Sequence, residues 1–183
     1  MRHLHLPVAL TTLFLSGCFL FQEDGSIVSF QVDYALDEQT VEGNLLGGLL
    51  GSLLGLPINL EVNLDEETRA RDTGPAQHVY LSELTLSITP TAESGGDSDD
   101  FGFLDSIEIY VESRQAGSSL PRRRIAHRNP VPSGARTLSM QLEDVDLIDY
   151  VNEGARLTAS ADGHAPLDDV TFDGFLTLTV EVL

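Results

Sequence analysis

The chain has 183 residues, which is enough for one domain with its own hydrophobic core. Its 29 acidic and 10 basic residues give a formal net charge of −19, and all the basic ones are arginine. A chain this acidic lacks the basic surface that nucleic-acid binding requires, which argues against nucleic acid as a partner. Cys18 is the single cysteine, so disulfides within the chain and cysteine-based zinc sites are excluded.

The start of the chain has the layout of a secretory signal. A basic beginning that includes Arg2 precedes a short apolar stretch over residues 6–14, and small residues then lead to Cys18. The apolar stretch is much shorter than the ~20 residues that a membrane-spanning helix needs. The sequence therefore predicts an export signal and disfavours a transmembrane helix.

The last four residues of this signal, Leu15-Ser16-Gly17-Cys18, resemble the lipobox of bacterial lipoproteins at every position. The resemblance covers residues 1–18 and implies cleavage between Gly17 and Cys18. It also implies diacylglycerol on the Cys18 sulfur and a fatty acyl group, such as palmitate, on the new amine. Two or three acyl chains anchor a protein stably, whereas one chain binds a membrane only marginally. An ordinary signal peptide with a chance cysteine is the alternative interpretation.

These features divide the chain into three parts. Residues 1–17 are the predicted signal peptide, residues 18–25 a lipidated tether, and residues 26–183 one domain. Phe19 follows the cysteine at the position where enteric bacteria use aspartate to retain a lipoprotein in the inner membrane. The resemblance therefore implies export to the cell envelope and attachment to the outer membrane.

Alternation of apolar and polar residues predicts about eight strands in the domain, and one polar face per strand favours an antiparallel β-sandwich. The predicted strands lie within residues 28–36, 58–64, 79–88, 107–111, 122–128, 138–142, 155–161 and 172–182. The alternation slips between Leu81 and Leu84, which predicts a bulge near Ser82 and Glu83. The side chains predicted to face inward include those of Phe30, Val32, Leu60, Leu86, Ile109, Met140, Leu157, Leu178 and Val180.

A leucine- and glycine-rich segment, residues 45–56, follows the first predicted strand. Its leucine pairs recur every four residues with small residues between them, so a helix would gather the leucines on one side. Such a helix would be about 18 Å long, too short to cross a hydrocarbon core of ~30 Å. The segment is either a cap on the core or an exposed contact element. The contact would be made by Leu45, Leu46, Leu49, Leu50, Leu53 and Leu54.

An acidic loop over residues 93–100 is rich in the oxygen ligands that Ca²⁺ prefers, with Asp97, Asp99 and Asp100 as the candidates. The spacing matches no EF-hand or repeat-type calcium motif, so a flexible solvated loop is favoured and no cofactor is predicted. Gly96-Asp97-Ser98 resembles the start of the serine block of GDSL-type esterases. No Asp-x-x-His block follows near the end of the chain, which leaves a hydrolase weakly supported and the chain without a predicted catalytic set.

A basic island formed by Arg122, Arg123, Arg124, His127 and Arg128 stands out in the acidic chain. Its arginines either pair with acidic neighbours or guard an edge strand against aggregation. The functional alternative is a docking patch for a polyanion, such as a lipid phosphate or an acidic polysaccharide. Both interpretations place the island on a strand that ends at Asn129-Pro130.

The second predicted helical insertion covers residues 144–153. Asp144 is the expected cap, Leu147, Ile148 and Val151 are expected to face inward, and Gly154 would follow the helix end.

The function favoured by these patterns is that of a lipid-anchored envelope protein. Its sandwich would be a non-catalytic binding or structural module, with an envelope protein or a glycan as partner. The alternative is a carrier or sensor of an apolar ligand, with Leu45–Leu56 as its lid.

Overall fold

Alternating burial along the chain produces strands that pack in two layers. The structure, a computed structural model, describes residues 27–43, 58–59, 64–90 and 98–182. Within these residues the strands are β1 (Val28–Val41), β2 (Ile58–Asn59), β3 (Ala76–Ile88), β4 (Leu104–Ser113), β5 (Arg123–Arg128), β6 (Thr137–Ser139), β7 (Gln141–Leu142), β8 (Ala155–Gly163) and β9 (Val170–Val182). The helices are α1 (Leu64–Ala70) and α2 (Ile148–Asn152), with a 3-10 turn at Phe101–Phe103.

The strands form two sheets, and every pairing among the described strands is antiparallel. The first sheet has the order β1-β9-β3-β6, and the second sheet has the order β2-β8-β4-β5-β7. The chain moves repeatedly from one sheet to the other, and this strand order is that of a jelly roll. The predicted antiparallel β-sandwich is therefore confirmed, with one strand more than expected among the described residues.

The core lies between the two sheets and contains most of the side chains predicted to face inward. Burying each large apolar side chain contributes roughly 1.5–3 kcal/mol to folding. Phe30 is half-buried and packs against this core, and Leu60 lies outside the described residues. The buried members of the predicted set are Val32, Leu86, Ile109, Met140, Leu157, Leu178 and Val180.

The predicted bulge in β3 is present. The register between β3 and β9 shifts between Leu81 and Glu83, so Ser82 is the extra residue on β3. This shift allows both Leu81 and Leu84 to be buried although three positions separate them.

The predicted strand over residues 138–142 is wrong as a single strand. Its first part is β6 in the first sheet, and its second part is β7 in the second sheet. Between them, the Met140 amide donates to the Leu84 carbonyl oxygen at 3.0 Å. Leu142 is 36% exposed rather than buried. Apolar and polar residues continue to alternate in the sequence through this crossing. The sequence pattern therefore does not reveal the change of sheet.

The strand predicted over residues 58–64 is wrong at its last residue. The described part of it is Ile58–Asn59, residues 60–63 lie outside the described part, and Leu64 begins α1. The acidic residues after Leu64 suit the first turn of a helix, where negative charge is stabilised by the helix dipole. The Thr68 hydroxyl donates to the Leu64 carbonyl oxygen at 2.9 Å, and both residues are buried.

A helix is present within the insertion predicted over residues 144–153, but it covers Ile148–Asn152 alone, and Ile148 is half-buried rather than buried. Leu147 and Val151 are buried, and Gly154 follows the helix with a φ of 81°. The cap is not Asp144: Leu147 occupies the cap position, and the Asp146 carboxylate accepts from the Ile148 amide at 3.1 Å. The insertion predicted over residues 45–56 lies outside the described residues.

Candidate functional site

Several predicted site residues lie outside the described part of the chain. These are the lipobox with Gly17 and Cys18, the segment Leu45–Leu56, and Asp97 of the acidic loop. The arginines of the basic island, together with Asp99 and Asp100, are described.

Arg122 and Arg124 take part in ion pairs on the outer face of the second sheet. We call this set the ion-pair network, and it consists of Glu108, Glu112, Arg122, Arg124, Glu143 and Arg156. The register between β4 and β5 places Tyr110 opposite Arg124, while Glu112 lies opposite Arg156 on β8. The basic island is therefore paired internally at these two arginines.

Arg124 bridges two carboxylates in this network. Its guanidinium donates to Glu108 Oε1 at 2.6 Å and, through Nη2 and Nε, to Glu143 Oε1 at 2.7 and 2.9 Å. The Tyr110 hydroxyl donates to Glu108 Oε2 at 2.7 Å. These bonds from Tyr110 and Arg124 hold the pKa of Glu108 below its ordinary value. His127 Nδ1 lies 3.4 Å from Glu143 Oε1 without hydrogen-bond geometry.

Glu112 is the second centre of the network. Its carboxylate accepts from Arg156 at 2.9 Å and Thr158 at 3.2 Å, and Arg122 Nε lies 2.9 Å from Oε1. The bonds from Arg156 and Thr158 lower the pKa of Glu112. The Arg122 guanidinium also lies 3.4 Å from the centre of the Tyr110 ring, which adds a cation–π contact.

Arg123 is exposed and lines two adjoining grooves of about 440 and 340 Å³. Both grooves include Asp144 and Val145, and the smaller one also includes Asp146 and Asp149. The carboxylates offset the charge of Arg123. This lining does not favour a polyanion, because the acidic side chains would repel it.

Asp99 and Asp100 lie at the opposite end of the sandwich, in a groove of about 290 Å³ that also includes His164 and Asp168. Asp100 Oδ1 accepts from the Gly102 amide at 2.7 Å and so caps the 3-10 turn. Among the described residues, no three acidic, histidine or cysteine side chains are grouped as a metal site would require.

The outer face of the first sheet has a different composition, and we call it the hydroxyl face. Phe175 lies near its middle and is 38% exposed. Phe175 is paired across the sheet with Ala35 on β1 and with Thr85 on β3. Ser139 on β6 lies opposite Thr85. The other outward residues of the three longest strands include Gln31, Asp33, His78, Tyr80, Glu83, Ser87, Thr171, Asp173, Thr177, Thr179 and Glu181.

The outward position of Phe175 follows from its neighbour Gly174. A side-chain carbon at Gly174 would lie 2.8 Å from Leu36 Cδ1 and 3.0 Å from Leu86 Cδ2, so position 174 faces the filled core. Adjacent strand residues point to opposite faces, so Phe175 faces outward. The sequence pattern contains this signal, because Phe175 lies in phase with Thr177 and Thr179 on the polar side of β9.

One ion pair joins the end of the hydroxyl face to the segment before α2. His78 Nδ1 donates to Asp146 Oδ2 at 2.6 Å, and Asp146 Oδ1 accepts from the Val79 amide at 3.1 Å. The hydrogen bond to Asp146 raises the pKa of His78 above its ordinary value. Burial acts to raise the pKa of Asp146, but the bonds from His78, Val79 and Ile148 outweigh it and lower that pKa.

No helix within the described ranges is both long and apolar enough to span a bilayer. Comparison with known proteins gives little: no family model matches the chain, and no curated protein matches it.

Two solved structures are similar to the chain at low scores. Mud crab tombus-like virus has a TM-score of 0.39 and 9% identity, over 100% of this chain and 92% of that chain. The 60-mer BFDV capsid protein has a TM-score of 0.36 and 11% identity, over 86% of this chain and 93% of that chain. At these scores, no functional property of those proteins transfers to this chain.

Proposed function

We propose that the protein is a lipid-anchored protein of the bacterial cell envelope whose β-sandwich is a non-catalytic binding or structural module. The observation that carries this proposal is the sequence Leu15-Ser16-Gly17-Cys18 at the end of a secretory signal. Cys18 would receive diacylglycerol after export, and cleavage would make it the first residue of the mature protein.

The position of β1 determines how close the domain stays to the membrane. β1 begins at Val28, so positions 18 to 28 are the whole connection to the anchor. Ten residues span at most about 35 Å when fully extended. The sandwich would therefore remain near the bilayer surface, with the beginning of β1 facing it.

Two exposed apolar side chains lie at this end of the domain. Ile27 and Val28 are 60% and 53% exposed at the beginning of β1. Both lie at the end of the domain nearest to the proposed anchor, where apolar contact with the lipid interface would stabilise the arrangement. The outer faces of both sheets run alongside the strands and would stay accessible to a partner in the envelope.

The test is to replace the proposed lipid attachment residue. We expect Cys18→Ala to abolish acylation and release the protein from the membrane fraction, with mass spectrometry of the mature N-terminus as the readout. Phe19→Ala is the matched control, which should leave the lipid on Cys18. An unmodified Cys18, or cleavage at another position, would overturn the proposal.

The proposed outer-membrane location has its own test. Phe19→Asp places aspartate at the position that enteric bacteria use for inner-membrane retention. In such a host, we expect this variant to move from the outer-membrane to the inner-membrane fraction of a density gradient while remaining acylated. If the parent and Phe19→Asp both fractionate with the inner membrane, the proposed outer-membrane location is contradicted.

A further inference from the structure

We propose that the hydroxyl face binds a neutral polysaccharide, with one sugar ring stacked on Phe175. This inference rests on the proposed function, since it names the class of ligand that the binding module would take.

Phe175 provides an accessible aromatic surface on a polar face. Its partners across the sheet are Ala35 and Thr85, which are small and leave space on both sides of the ring. The outward residues before and after it on β9 are Asp173 and Thr177, about 6.7 Å away along the strand. A pyranose ring has an apolar C–H face that packs on an aromatic ring, and hydroxyl groups around its edge that need polar partners.

Such polar partners surround Phe175. Asp33, Asp173 and Glu83 are exposed carboxylates on β1, β9 and β3. Asp173 lies two residues from Phe175 along β9, and Asp33 and Glu83 lie opposite Thr177, so the three backbone positions are about 7–8 Å from that of Phe175, close enough to contact a sugar stacked on the ring or the next sugar unit. Ionised carboxylates accept several hydrogen bonds each and bind neutral hydroxyl donors strongly. The Thr177 hydroxyl already donates to Asp33 Oδ1 at 2.9 Å, which holds that carboxylate in place.

The charge of the face selects against acidic ligands. Its charged side chains include Asp33, Glu83, Asp173 and Glu181, and within the described strands no arginine lies on it. On the second sheet, by contrast, Arg122, Arg124 and Arg156 belong to the ion-pair network. Near Phe175, an anionic polysaccharide would be repelled by these carboxylates, and His78, the cationic candidate of the face, is already paired with Asp146; a neutral polysaccharide would meet acceptors for its hydroxyl groups.

The same charges disfavour a second copy of this chain as the partner. Stacking two hydroxyl faces would place the carboxylates of one copy against those of the other, without a cation between them. A neutral chain of sugar units avoids this repulsion and extends along the face, where hydroxyl side chains continue to Ser87 and Ser139.

The experiment is affinity electrophoresis of the intact mature protein in mild detergent. Native gels would contain a neutral glucan, mannan or xylan, or the acidic polymer polygalacturonate. We expect at least one neutral polymer to retard the protein, and polygalacturonate to leave its mobility unchanged. Phe175→Ala should weaken the binding at least about tenfold, because a stacked ring contributes on that scale.

Two further variants make the result specific. Leu142→Ala is the matched control, because Leu142 is 36% exposed but lies on the second sheet, and it should bind like the parent. Asp173→Asn removes a carboxylate without changing volume and should weaken binding severalfold, so the test does not depend on one variant folding. Circular dichroism verifies the fold of each.

The outcomes separate clearly. Absence of retardation by every neutral polymer, retardation that Phe175→Ala leaves unchanged, or stronger retardation by polygalacturonate would overturn the inference. A dimer that Phe175→Ala dissociates, without polysaccharide binding, would also overturn it. Membrane attachment through Cys18 is measured independently in the same variants, so failure of this inference differs from failure of the proposed function.

Discussion

The outer faces of the two sheets satisfy their polar groups in different ways. On the second sheet, arginines and glutamates neutralise one another within the protein, as at Arg124 between Glu108 and Glu143. On the hydroxyl face, an exposed ring lies among carboxylates and hydroxyls, such as Asp33 and Thr177, that are bonded to one another without an arginine of the described strands. A ligand on the second sheet would have to break ion pairs, whereas a ligand on the first would meet carboxylates that no arginine of those strands neutralises. The surface with the most ion pairs is therefore a poorer candidate for binding than the face whose carboxylates lack arginine partners among the described strands.

The largest expected effect is loss of the whole fold. It would remove both outer faces, because the two sheets share one core. Leu178 on β9 is fully buried beneath the hydroxyl face and faces the second sheet across the core. We expect Leu178→Asp to unfold the domain, since an unpaired charge would enter an apolar core. Circular dichroism would show the loss of the strand signal. Native-like spectra and a cooperative melt at the parent temperature would contradict the assigned core.

The milder substitution Leu178→Ala provides the graded control for this prediction. Removing the side-chain volume without adding charge should cost roughly 2–5 kcal/mol of unfolding free energy in a denaturant titration.

The next largest effect concerns the ion-pair network on the second sheet and leaves the hydroxyl face unchanged. Glu112 accepts from Arg156 and Thr158 and pairs with Arg122, and its side chain is 24% exposed. We expect Glu112→Gln to lower the unfolding free energy by about 1–2 kcal/mol at pH 7, because the network loses its second centre. Glu38→Gln is the matched control on an exposed part of β1 and should change stability little. Urea denaturation measures both variants.

The difference in unfolding free energy between the parent and Glu112→Gln should depend on pH. The pKa values of Glu108 and Glu112 are lowered in the folded protein, so the stabilisation is fully present above the unfolded value of 4.5. It is lost as the pH falls through the lowered folded values. The stability gap between the parent and Glu112→Gln should therefore narrow below about pH 4.5. A gap that widens in acid would contradict the role of the network.

The sequence predicts one of these faces better than the other. Glu108 and Glu112 alternate with buried positions, and Arg122–Arg124 are visible as a basic island, but the register that joins them is not encoded in either pattern. Pairing between strands distant in sequence depends on the whole topology. The sequence therefore predicts that the arginines pair with acidic neighbours or guard an edge strand without naming the partners, and the structure places Arg122 and Arg124 in such pairs.

The hydroxyl face was missed for a different reason. The alternation along β9 is clear, and it identifies Leu178 and Val180 correctly as buried. Phe175 breaks the expectation that an aromatic residue joins the core, and Gly174 takes the inward position that a larger residue would fill. The hydrophobic pattern identifies what a sheet buries and leaves the exposed side without a comparable signal. The β6–β7 division at Met140 was missed likewise, because alternation continues through the change of sheet.

The smallest expected effect concerns His78, whose pair with Asp146 ties β3 to the segment before α2. The pair raises the pKa of His78, so its stabilisation is fully present below the unfolded value of 6.5 and is lost as the pH rises through the raised folded value. This direction is opposite to that of the ion-pair network, which weakens in acid.

We expect the parent to melt at a higher temperature than His78→Asn near pH 6, and we expect this difference in melting temperature to shrink by about pH 9. The effect is small because the side chains are 47% and 33% exposed, and water screens such a pair. His164→Asn, at an exposed histidine in the groove that contains Asp168, is the matched control for replacing a surface histidine. If the difference in melting temperature between the parent and His78→Asn stays constant or grows from pH 6 to pH 9, the hydrogen bond to Asp146 does not depend on a charged His78. The connection between the hydroxyl face and the segment before α2 would then not depend on pH through this pair.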